Sequence, residues 1–145
     1  MKFLCDRMLG SLSIWLRLLG YDTLYPRSLG DREIAAKVYD EGRVLLTRDG
    51  NLASRVQGAF YIASDNLDEQ LKAVVEKFRL NVSDPLSLCS VCNVSIVDIS
   101  KDDIRGKVPP AVFKNHDKFW ICPSCNRIYW KGTHWNDIIH RIENL

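Results

Sequence analysis

Short apolar runs alternate with amphipathic segments between Met1 and Leu80. The first run, Lys2–Cys5, is typical of a buried strand, and the apolar residues of Leu9–Leu19 recur at helical spacing. The alternation continues and predicts strands at Tyr21–Leu24, Arg43–Thr47 and Ala59–Ala63, and helices at Asp31–Glu41, Asn51–Gln57 and Asn66–Leu80. This βαβαβαβα order predicts an α/β fold whose mainly parallel sheet has helices on both faces.

Two C-x2-C pairs mark the carboxyl-terminal part of the chain. They are Cys89-Ser-Val-Cys92 and Cys122-Pro-Ser-Cys125. Two such pairs complete a tetrahedral zinc site, so their spacing favours a small zinc ribbon over disulfides or unrelated cysteines. Because protein sulfur fills all four positions, the zinc is expected to be structural, and its removal is expected to unfold residues near 86–145. The apolar pattern of Thr133–Asn144 predicts a final helix that docks on the rest of the chain.

The length and composition are sufficient for one ordinary hydrophobic core and one small module stabilised by a metal ion. Of the 145 residues, 46% are hydrophobic and 26% are charged. We therefore expect two domains, a sheet domain over residues 1–82 and a four-cysteine ribbon with its helix over residues 86–145. The formal net charge is only +2, so any binding of nucleic acid has to be local rather than driven by a bulk basic field.

The chain shows no signal for export or for a membrane. Asp6 places a charge too early for the apolar core of a secretory signal, and no apolar run approaches the roughly 18 residues of a membrane span. We expect a cytoplasmic protein with no membrane partner. A reducing cytosol also favours zinc over disulfides.

Aspartates follow the predicted strands at the edge where parallel sheets bind ligands. Asp6 comes after the first strand, Asp49 after the third and Asp65 after the fourth, while Asp31 opens the helix before the third strand. Carboxylates that lie close together repel one another unless a divalent cation neutralises them, and oxygen ligands suit Mg²⁺ or Mn²⁺. The alternative is that Asp31 and Asp65 are helix N-caps, and that Asp22 lies in a turn or at a solvated edge.

Several stretches resemble known nuclease sequences. The run Asp31-Arg-Glu-Ile-Ala-Ala-Lys-Val, followed by Arg43-Val-Leu-Leu-Thr47-Arg48-Asp49, resembles the second half of a PIN domain, the fold of many metal-dependent ribonucleases. The opening Phe3–Asp22 and the tail Cys122–Trp135 are more specifically similar to the Mut-7 C-terminal RNase domain family, in which a PIN-like domain is fused to a zinc ribbon. The resemblance spans nearly the whole chain.

The resemblance implies a divalent-metal-dependent ribonuclease that hydrolyses RNA phosphodiester bonds. It implies that Asp6, Asp31 and Asp49 are catalytic residues and hold Mg²⁺ or Mn²⁺. PIN domains usually supply another acid from a helical insertion after the second strand, and this chain lacks that insertion. Asp65 is therefore a further catalytic candidate, with Asp22 as the other residue that could replace the missing acid. One catalytic ion is expected rather than two.

Basic side chains near the acids and in the ribbon are candidates for RNA contacts. Arg7, Arg17 and Arg48 could grip phosphates, although Arg17 could instead lie across its own helix. Arg127 and Lys131 stand among ribbon aromatics that could stack on bases of single-stranded RNA or form the small core of the ribbon. These aromatic residues are Trp120, Tyr129, Trp130, His134 and Trp135.

Three functions remain open at the level of sequence. The first is a Mg²⁺- or Mn²⁺-dependent ribonuclease with a structural zinc ribbon. The second is a non-catalytic RNA- or ribosome-binding adaptor that uses the ribbon, and the third is a module that binds a protein partner. The resemblance also allows a homodimer. Acids at three positions associated with strands favour the ribonuclease.

Overall fold

Four short parallel strands form the larger of two sheets. A computed structural model of the protein describes residues 1–81 and 86–143, apart from the side chains of residues 134, 138 and 141. The strands are β1 (Phe3–Cys5), β2 (Thr23–Leu24), β3 (Val44–Thr47) and β4 (Phe60–Tyr61). They lie in the order β2-β1-β3-β4, and every neighbouring pair is parallel. The predicted α/β fold with a mainly parallel sheet is confirmed.

The outer strands are shorter than their apolar runs predict. The strands predicted at Tyr21–Leu24 and Ala59–Ala63 pair over two residues each. β2 and β4 lie at the two edges of the sheet, so each has a hydrogen-bonding neighbour on one side only. The central β1 pairs on both sides, and Phe3 lies opposite Thr23 in β2 and Val44 in β3.

A helix follows each strand, close to the predicted position. The helices are α1 (Gly10–Leu18), α2 (Asp31–Glu41), α3 (Gly50–Arg55) and α4 (Leu67–Phe78), and a 3₁₀ turn at Arg7–Leu9 precedes α1. α2 has the predicted bounds because Gly42, with a φ of 64°, adopts the left-handed conformation that ends a helix. No helix in residues 1–81 or 86–143 is long and apolar enough to cross a membrane.

The two faces of the sheet carry different helices. Successive side chains of a strand point to opposite faces, so Phe3 and Cys5 pack in one apolar cluster with α1 and α4. Leu4 points the other way and packs with α2 and α3. The prediction of helices on both faces is confirmed.

A second, antiparallel sheet lies in the carboxyl-terminal part of the chain. Its strands are β5 (Val97–Ile99), β6 (Phe119–Ile121) and β7 (Ile128–Tyr129), in the order β5-β6-β7. α5 (Pro110–Asn115) comes between β5 and β6 in the chain, and α6 (Thr133–Glu143) follows β7. The predicted end of α6 at Asn144, and residues 82–85 at the expected domain boundary, lie outside the described residues.

The core of the larger sheet extends to the carboxyl-terminal helix. The indole rings of Trp15 in α1 and Trp135 in α6 stack with centroids 5.6 Å apart. Leu86, Trp135 and Ile142 belong to the same apolar cluster as Phe3. α6 also packs against α4. The expected docking of the final helix is therefore observed.

Candidate functional site

The four paired cysteines meet at one point. Their sulfur atoms all lie within 4.8 Å of one another, and those of Cys89 and Cys125 are 3.7 Å apart. Thiolates at the corners of a tetrahedron around zinc, with Zn–S bonds of about 2.3 Å, are about 3.8 Å apart. This cysteine quartet (Cys89, Cys92, Cys122 and Cys125) therefore fits a zinc ion, and none of its members is in a disulfide.

Two similar turns build the quartet. The first knuckle (residues 89–94) closes with a backbone hydrogen bond of 2.8 Å, and the second knuckle (residues 122–127) closes with the matching bond of 3.0 Å. In each, an asparagine directly follows the second cysteine, Asn93 with a φ of 60° and Asn126 with a φ of 63°. Asparagine tolerates this left-handed conformation better than most residues. The repeated Cys-x-x-Cys-Asn pattern is the sequence signal for these turns.

Tyr129 supports the quartet from outside. Its hydroxyl lies 3.0 Å from the sulfur of Cys89 and accepts a 3.0 Å hydrogen bond from the amide of Ser90. Burial opposes ionisation of Cys89, but the hydrogen bonds from Tyr129 and from two backbone amides lower the pKa of this thiol to about 6. The environment of Cys89 therefore favours the thiolate that a metal ion requires.

The carboxyl ends of β1 and β3 form a second candidate site. From β1 the chain passes to β2 on one side and then crosses to β3 on the other, so the strand order reverses between β1 and β3. Parallel sheets bind ligands in the crevice at such a reversal. We call this place the switch edge, and Asp6 and Asp49 follow its two strands as the sequence predicts.

Asp6 is buried at the switch edge, and three hydrogen bonds hold its carboxylate. Only 7% of the residue is exposed. One carboxylate oxygen accepts a hydrogen bond from the amide of Met8 at 2.9 Å. The other accepts bonds from the amide of Arg48, at 2.9 Å, and from the hydroxyl of Thr47. These three donors come from both strands' ends and fix the orientation of the carboxylate.

Thr47 links the two acids of the switch edge. Its hydroxyl donates to Asp6 and accepts a 2.9 Å hydrogen bond from the amide of Asp49. One carboxylate oxygen of Asp49 caps α3 by accepting from the amides of Asn51 and Leu52. Asp49 is exposed, and its second carboxylate oxygen accepts no hydrogen bond from a described residue. Thr47 is not among the site residues predicted from the sequence. Its position at the end of the strand, two residues before Asp49, is the feature that could have indicated it.

Asp31 and Asp65 are placed differently from these two acids. Asp31 is exposed and pairs with the guanidinium of Arg55, at the end of α3, at 2.7 Å. Asp65 is exposed after β4. The alternative that these two residues are N-caps is wrong, because Gly30 holds the cap position of α2 and the side chain of Asn66 caps α4. Of the four aspartates, Asp6 and Asp49 are the ones whose side chains cap a helical turn.

The acids do not form a preassembled cluster in the described part of the chain. The cysteine quartet is the one group of three or more Cys, His, Asp or Glu residues there whose ligand atoms converge. Asp6 and Asp49 nevertheless offer oxygen ligands on neighbouring strand ends, a donor set that suits a hard divalent cation. Asp31 can join them only if its ion pair with Arg55 opens.

The cationic side chains predicted to contact RNA lie in two regions. Arg7 is exposed directly after Asp6. Arg48 donates from Nη2 to the carbonyl of Ala63 at 3.3 Å, while its buried Nε has no partner among the described residues. Arg127 is exposed in the second knuckle, and the ammonium of Lys131 lies 5.6 Å from the ring centroid of Trp120. Trp135 is buried, whereas Trp120, Tyr129 and Trp130 are half-buried.

Arg17 joins the larger sheet to the first knuckle. Its guanidinium donates to the carbonyl of Thr23 at 2.8 Å and to the carbonyls of Ser90 and Val91 at 2.8 and 3.3 Å. These contacts replace the alternative in which Arg17 lies across its own helix. Nη2 of Arg17 makes no hydrogen bond to a described residue.

Asn93 makes a second connection between the first knuckle and β2. Its side-chain carbonyl accepts from the amide of Thr23 at 3.1 Å, and its amide donates to Asp22 at 2.7 Å. Burial opposes ionisation of Asp22, but hydrogen bonds from Arg43 and Asn93 lower the pKa of its carboxyl below the ordinary value. Asp22 thus ties the sheet edge to the knuckle, which is a more specific role than the turn or solvated edge expected from sequence.

The fold and the two candidate sites together define a class of protein. Proteins of this class combine a doubly wound parallel sheet, whose switch edge carries acids, with a four-cysteine module that fits zinc. The chain belongs to the Mut7-C RNAse domain family, whose model matches residues 1–142. This match confirms the family resemblance and indicates a ribonuclease-type function with RNA as the substrate. Comparisons with curated proteins and with solved structures find no match.

Proposed function

We propose that the protein hydrolyses RNA phosphodiester bonds at the switch edge, with Asp6 and Asp49 holding one Mg²⁺ or Mn²⁺ ion. The observation that carries the proposal is the bridged pair of acids. A buried carboxylate, oriented by three donors, is joined through Thr47 to an exposed carboxylate that keeps one oxygen without a hydrogen bond from the described residues. Both lie where a parallel sheet binds its ligand.

The side chains of the switch edge have different roles in the proposed phosphodiester hydrolysis. A divalent cation, when bound, lowers the pKa of its water and stabilises the charge that develops on the phosphate. Asp6 has a fixed orientation, so it supplies a preorganised ligand. Asp49 supplies a second carboxylate at the surface, where an RNA strand has access.

Two arginines flank these acids and suit the phosphates of the strand. Arg7 follows Asp6 directly and is exposed. Arg48 lies between Thr47 and Asp49 and is half-buried, with Nη2 donating to the carbonyl of Ala63. A guanidinium beside the scissile phosphate neutralises charge and fixes the strand by paired hydrogen bonds.

Asp31 and Asp65 complete the proposed catalytic set, although neither directly follows β1 or β3. Asp31 becomes available when a cation competes with Arg55, since this ion pair is exposed and such pairs are weak. Asp65 follows β4, the strand next to β3, at the same edge of the sheet. Their contribution is expected to be smaller than that of Asp6 and Asp49.

We also propose that the cysteine quartet holds a structural zinc ion. Four thiolates fill every position of a tetrahedral site and leave none for water, so the zinc would take no part in hydrolysis. The hydrogen bond from Tyr129 to Cys89 supports the proposal, because metal ligands are usually oriented by such outer contacts.

A non-catalytic RNA-binding adaptor is the second candidate. It is favoured by the separation of the acids, which do not form a cluster of three in the described part of the chain. In this case the family fold would be retained for binding, and the acids would serve as helix caps only.

Replacing Asp49 by asparagine separates the two candidates. Asparagine caps a helix as well as aspartate does, so Asp49→Asn removes a charge while it keeps the hydrogen bonds to α3. We expect cleavage of a labelled single-stranded RNA in Mg²⁺ or Mn²⁺ to fall by roughly a hundredfold or more. The unfolding midpoint should stay unchanged.

Asp40→Asn is the matched control, because Asp40 is an exposed aspartate on α2. It should cleave like the unmodified protein. If the purified, zinc-loaded protein cleaves no RNA with either ion, or if Asp49→Asn and Asp40→Asn cleave equally well, the proposed hydrolysis at the switch edge is wrong.

A further inference from the structure

Two hollows lie side by side along α1, and we propose that together they bind a single strand of RNA. A nucleobase would occupy the first and a backbone phosphate the second. This inference rests on the proposed function for its substrate, since it names the form of RNA that the protein takes and the residues that guide it.

The first, which we call the aromatic hollow, has a volume of about 470 Å³ between α1, β7 and α6. Its walls are mostly apolar, and the rings of Trp15, Tyr129, Trp130 and Trp135 contribute to them. Trp15 and Trp135 are buried and stacked on each other, so they form the fixed floor of the hollow. The rings that a base can contact are those of Tyr129 and Trp130, which are half-buried, and Trp130 is tilted against Phe119. An apolar cavity lined by fixed aromatic rings accepts a nucleobase whatever its sequence, because every base has a π-face.

The second, which we call the basic hollow, has a volume of about 480 Å³ between α1, the segment after β2 and the first knuckle. Arg17, Tyr25 and Arg27 line it. Arg17 is held by three carbonyls and keeps Nη2 without a partner among the described residues. The guanidinium of Arg27 lies 5.5 Å from the ring centroid of Tyr25, which orients it. Two guanidinium groups on one cavity suit a phosphate.

The two hollows are neighbours because they share a wall. Ser11 and Ile14, on the outer side of α1, line both of them. Ile14 is 42% exposed, so an apolar side chain forms the ridge between an aromatic and a cationic cavity. Alternation of base and phosphate is the chemical pattern of a single strand, and a duplex, whose bases are already stacked and paired, cannot match it.

Residues that line the hollows lie close in the chain to the proposed catalytic acids. Ser11 lies in the first turn of α1, shortly after Asp6, and Leu67, which also lines the aromatic hollow, begins α4 after Asp65. The hydroxyl of Tyr25 donates to the carbonyl of Arg7 at 2.7 Å, which fixes a wall of the basic hollow to the residue after Asp6. A strand bound in the two hollows would therefore continue toward the switch edge.

Variants of the ridge and of the cationic side chains test RNA binding along the two hollows in a protein that is not expected to cut RNA. In the Asp49→Asn background, zinc-loaded protein would be titrated against a fluorescein-labelled single-stranded RNA, with anisotropy as the readout. Ile14→Glu places a carboxylate on the ridge and should weaken binding roughly tenfold or more. Tyr39→Glu adds the same charge at an apolar residue of α2 that is 88% exposed, and it should bind like the parent.

Salt dependence tests the phosphate contact separately. Arg27→Ala should reduce the slope of log K against log salt concentration by about 0.7, the value for one phosphate contact on a single strand. Arg32→Ala, at an exposed arginine of α2, should leave the slope unchanged. A duplex of the same sequence should bind more weakly than the single strand.

The inference is overturned if the parent binds no RNA, if Ile14→Glu and Tyr39→Glu bind equally well, or if the duplex binds as tightly as the single strand. Its failure is distinct from failure of the proposed hydrolysis. If Ile14→Glu leaves cleavage by the otherwise unmodified protein intact, RNA binding along the two hollows is wrong and the proposed hydrolysis stands. If Ile14→Glu weakens RNA binding but the protein cuts no RNA, the two hollows bind RNA and the proposed hydrolysis is wrong.

Discussion

At the scale of single residues, the most informative feature is the chain of contacts from Asp6 through Thr47 to Asp49. The sequence predicts the two acids, because each directly follows an apolar strand and the two strands were expected to share an edge. It does not predict that these same acids cap the following helical turns. Capping depends on the backbone conformation around each residue, which the sequence pattern around the four aspartates does not reveal.

Replacing Thr47 by valine tests whether the contact between the acids matters for function. Thr47 is fully buried, and Thr47→Val keeps its shape while removing the hydroxyl that serves Asp6 and the amide of Asp49. We expect a loss of about 1–3 kcal/mol in the free energy of unfolding in urea, because polar groups lose their partner. We also expect cleavage to fall about tenfold or more, since Asp6 loses a positioning contact.

Thr23→Val provides the comparison for a buried threonine elsewhere. Thr23 is equally buried, and its hydroxyl donates to the carbonyl of Tyr21, two residues earlier in the chain. This variant should lose stability and keep its cleavage rate per folded molecule. Equal losses of cleavage in the two variants would mean that Thr47 acts through stability alone.

At the scale of elements, the helices were easier to predict than the strands and the connections. α2 could be read from its spacing and from Gly42, because helix bounds depend on local residues. The lengths of β2 and β4 could not, since they depend on which neighbours each strand finds. The connection of the first knuckle to β2 through Asn93 was also invisible, because its partners are about seventy residues away in the chain.

Glycine at position 93 isolates the contribution of this connection. Glycine adopts a φ of 60° freely, so Asn93→Gly keeps the turn of the first knuckle and removes the bonds to Thr23 and Asp22. We expect a loss of about 1 kcal/mol or more in the free energy of unfolding. Asn126→Gly makes the same change in the second knuckle, where the side chain has no partner among the described residues, and it should be nearly neutral. Equal effects would refute a structural role for the Asn93 amide.

At the scale of the whole molecule, the two sheets are more closely joined than two domains on a flexible linker would be. The sequence predicts their separate architectures, because one follows from apolar periodicity and the other from cysteine spacing. It does not predict that Leu86, Trp135 and Ile142 complete a core that also contains Phe3. Which surfaces pack together is decided by shape complementarity over the folded chain, which periodicity does not encode.

Removal of zinc should therefore destabilise the larger sheet as well as the cysteine quartet. The cysteine spacing by itself predicts unfolding of residues near 86–145. Arg17 bonds to the first knuckle, Asn93 of that knuckle bonds to Asp22, and Trp15 stacks on Trp135. We therefore expect a chelator to speed hydrogen exchange in β1 and α1 as well as in β6. Exchange measured by mass spectrometry would contradict this if protection of β1 and α1 stayed unchanged after the chelated ribbon had unfolded.

The position of a bound manganese ion tests the proposed site at the switch edge most directly. Crystals of the zinc-loaded protein soaked in Mn²⁺ would be examined by anomalous diffraction at the manganese edge. We expect an ion at the switch edge, bound by carboxylate oxygens of Asp6 and Asp49, and we expect this ion to be lost in Asp49→Asn. The proposed site is wrong if zinc fully occupies the cysteine quartet and no manganese binds at the switch edge at any Mn²⁺ concentration that supports cleavage.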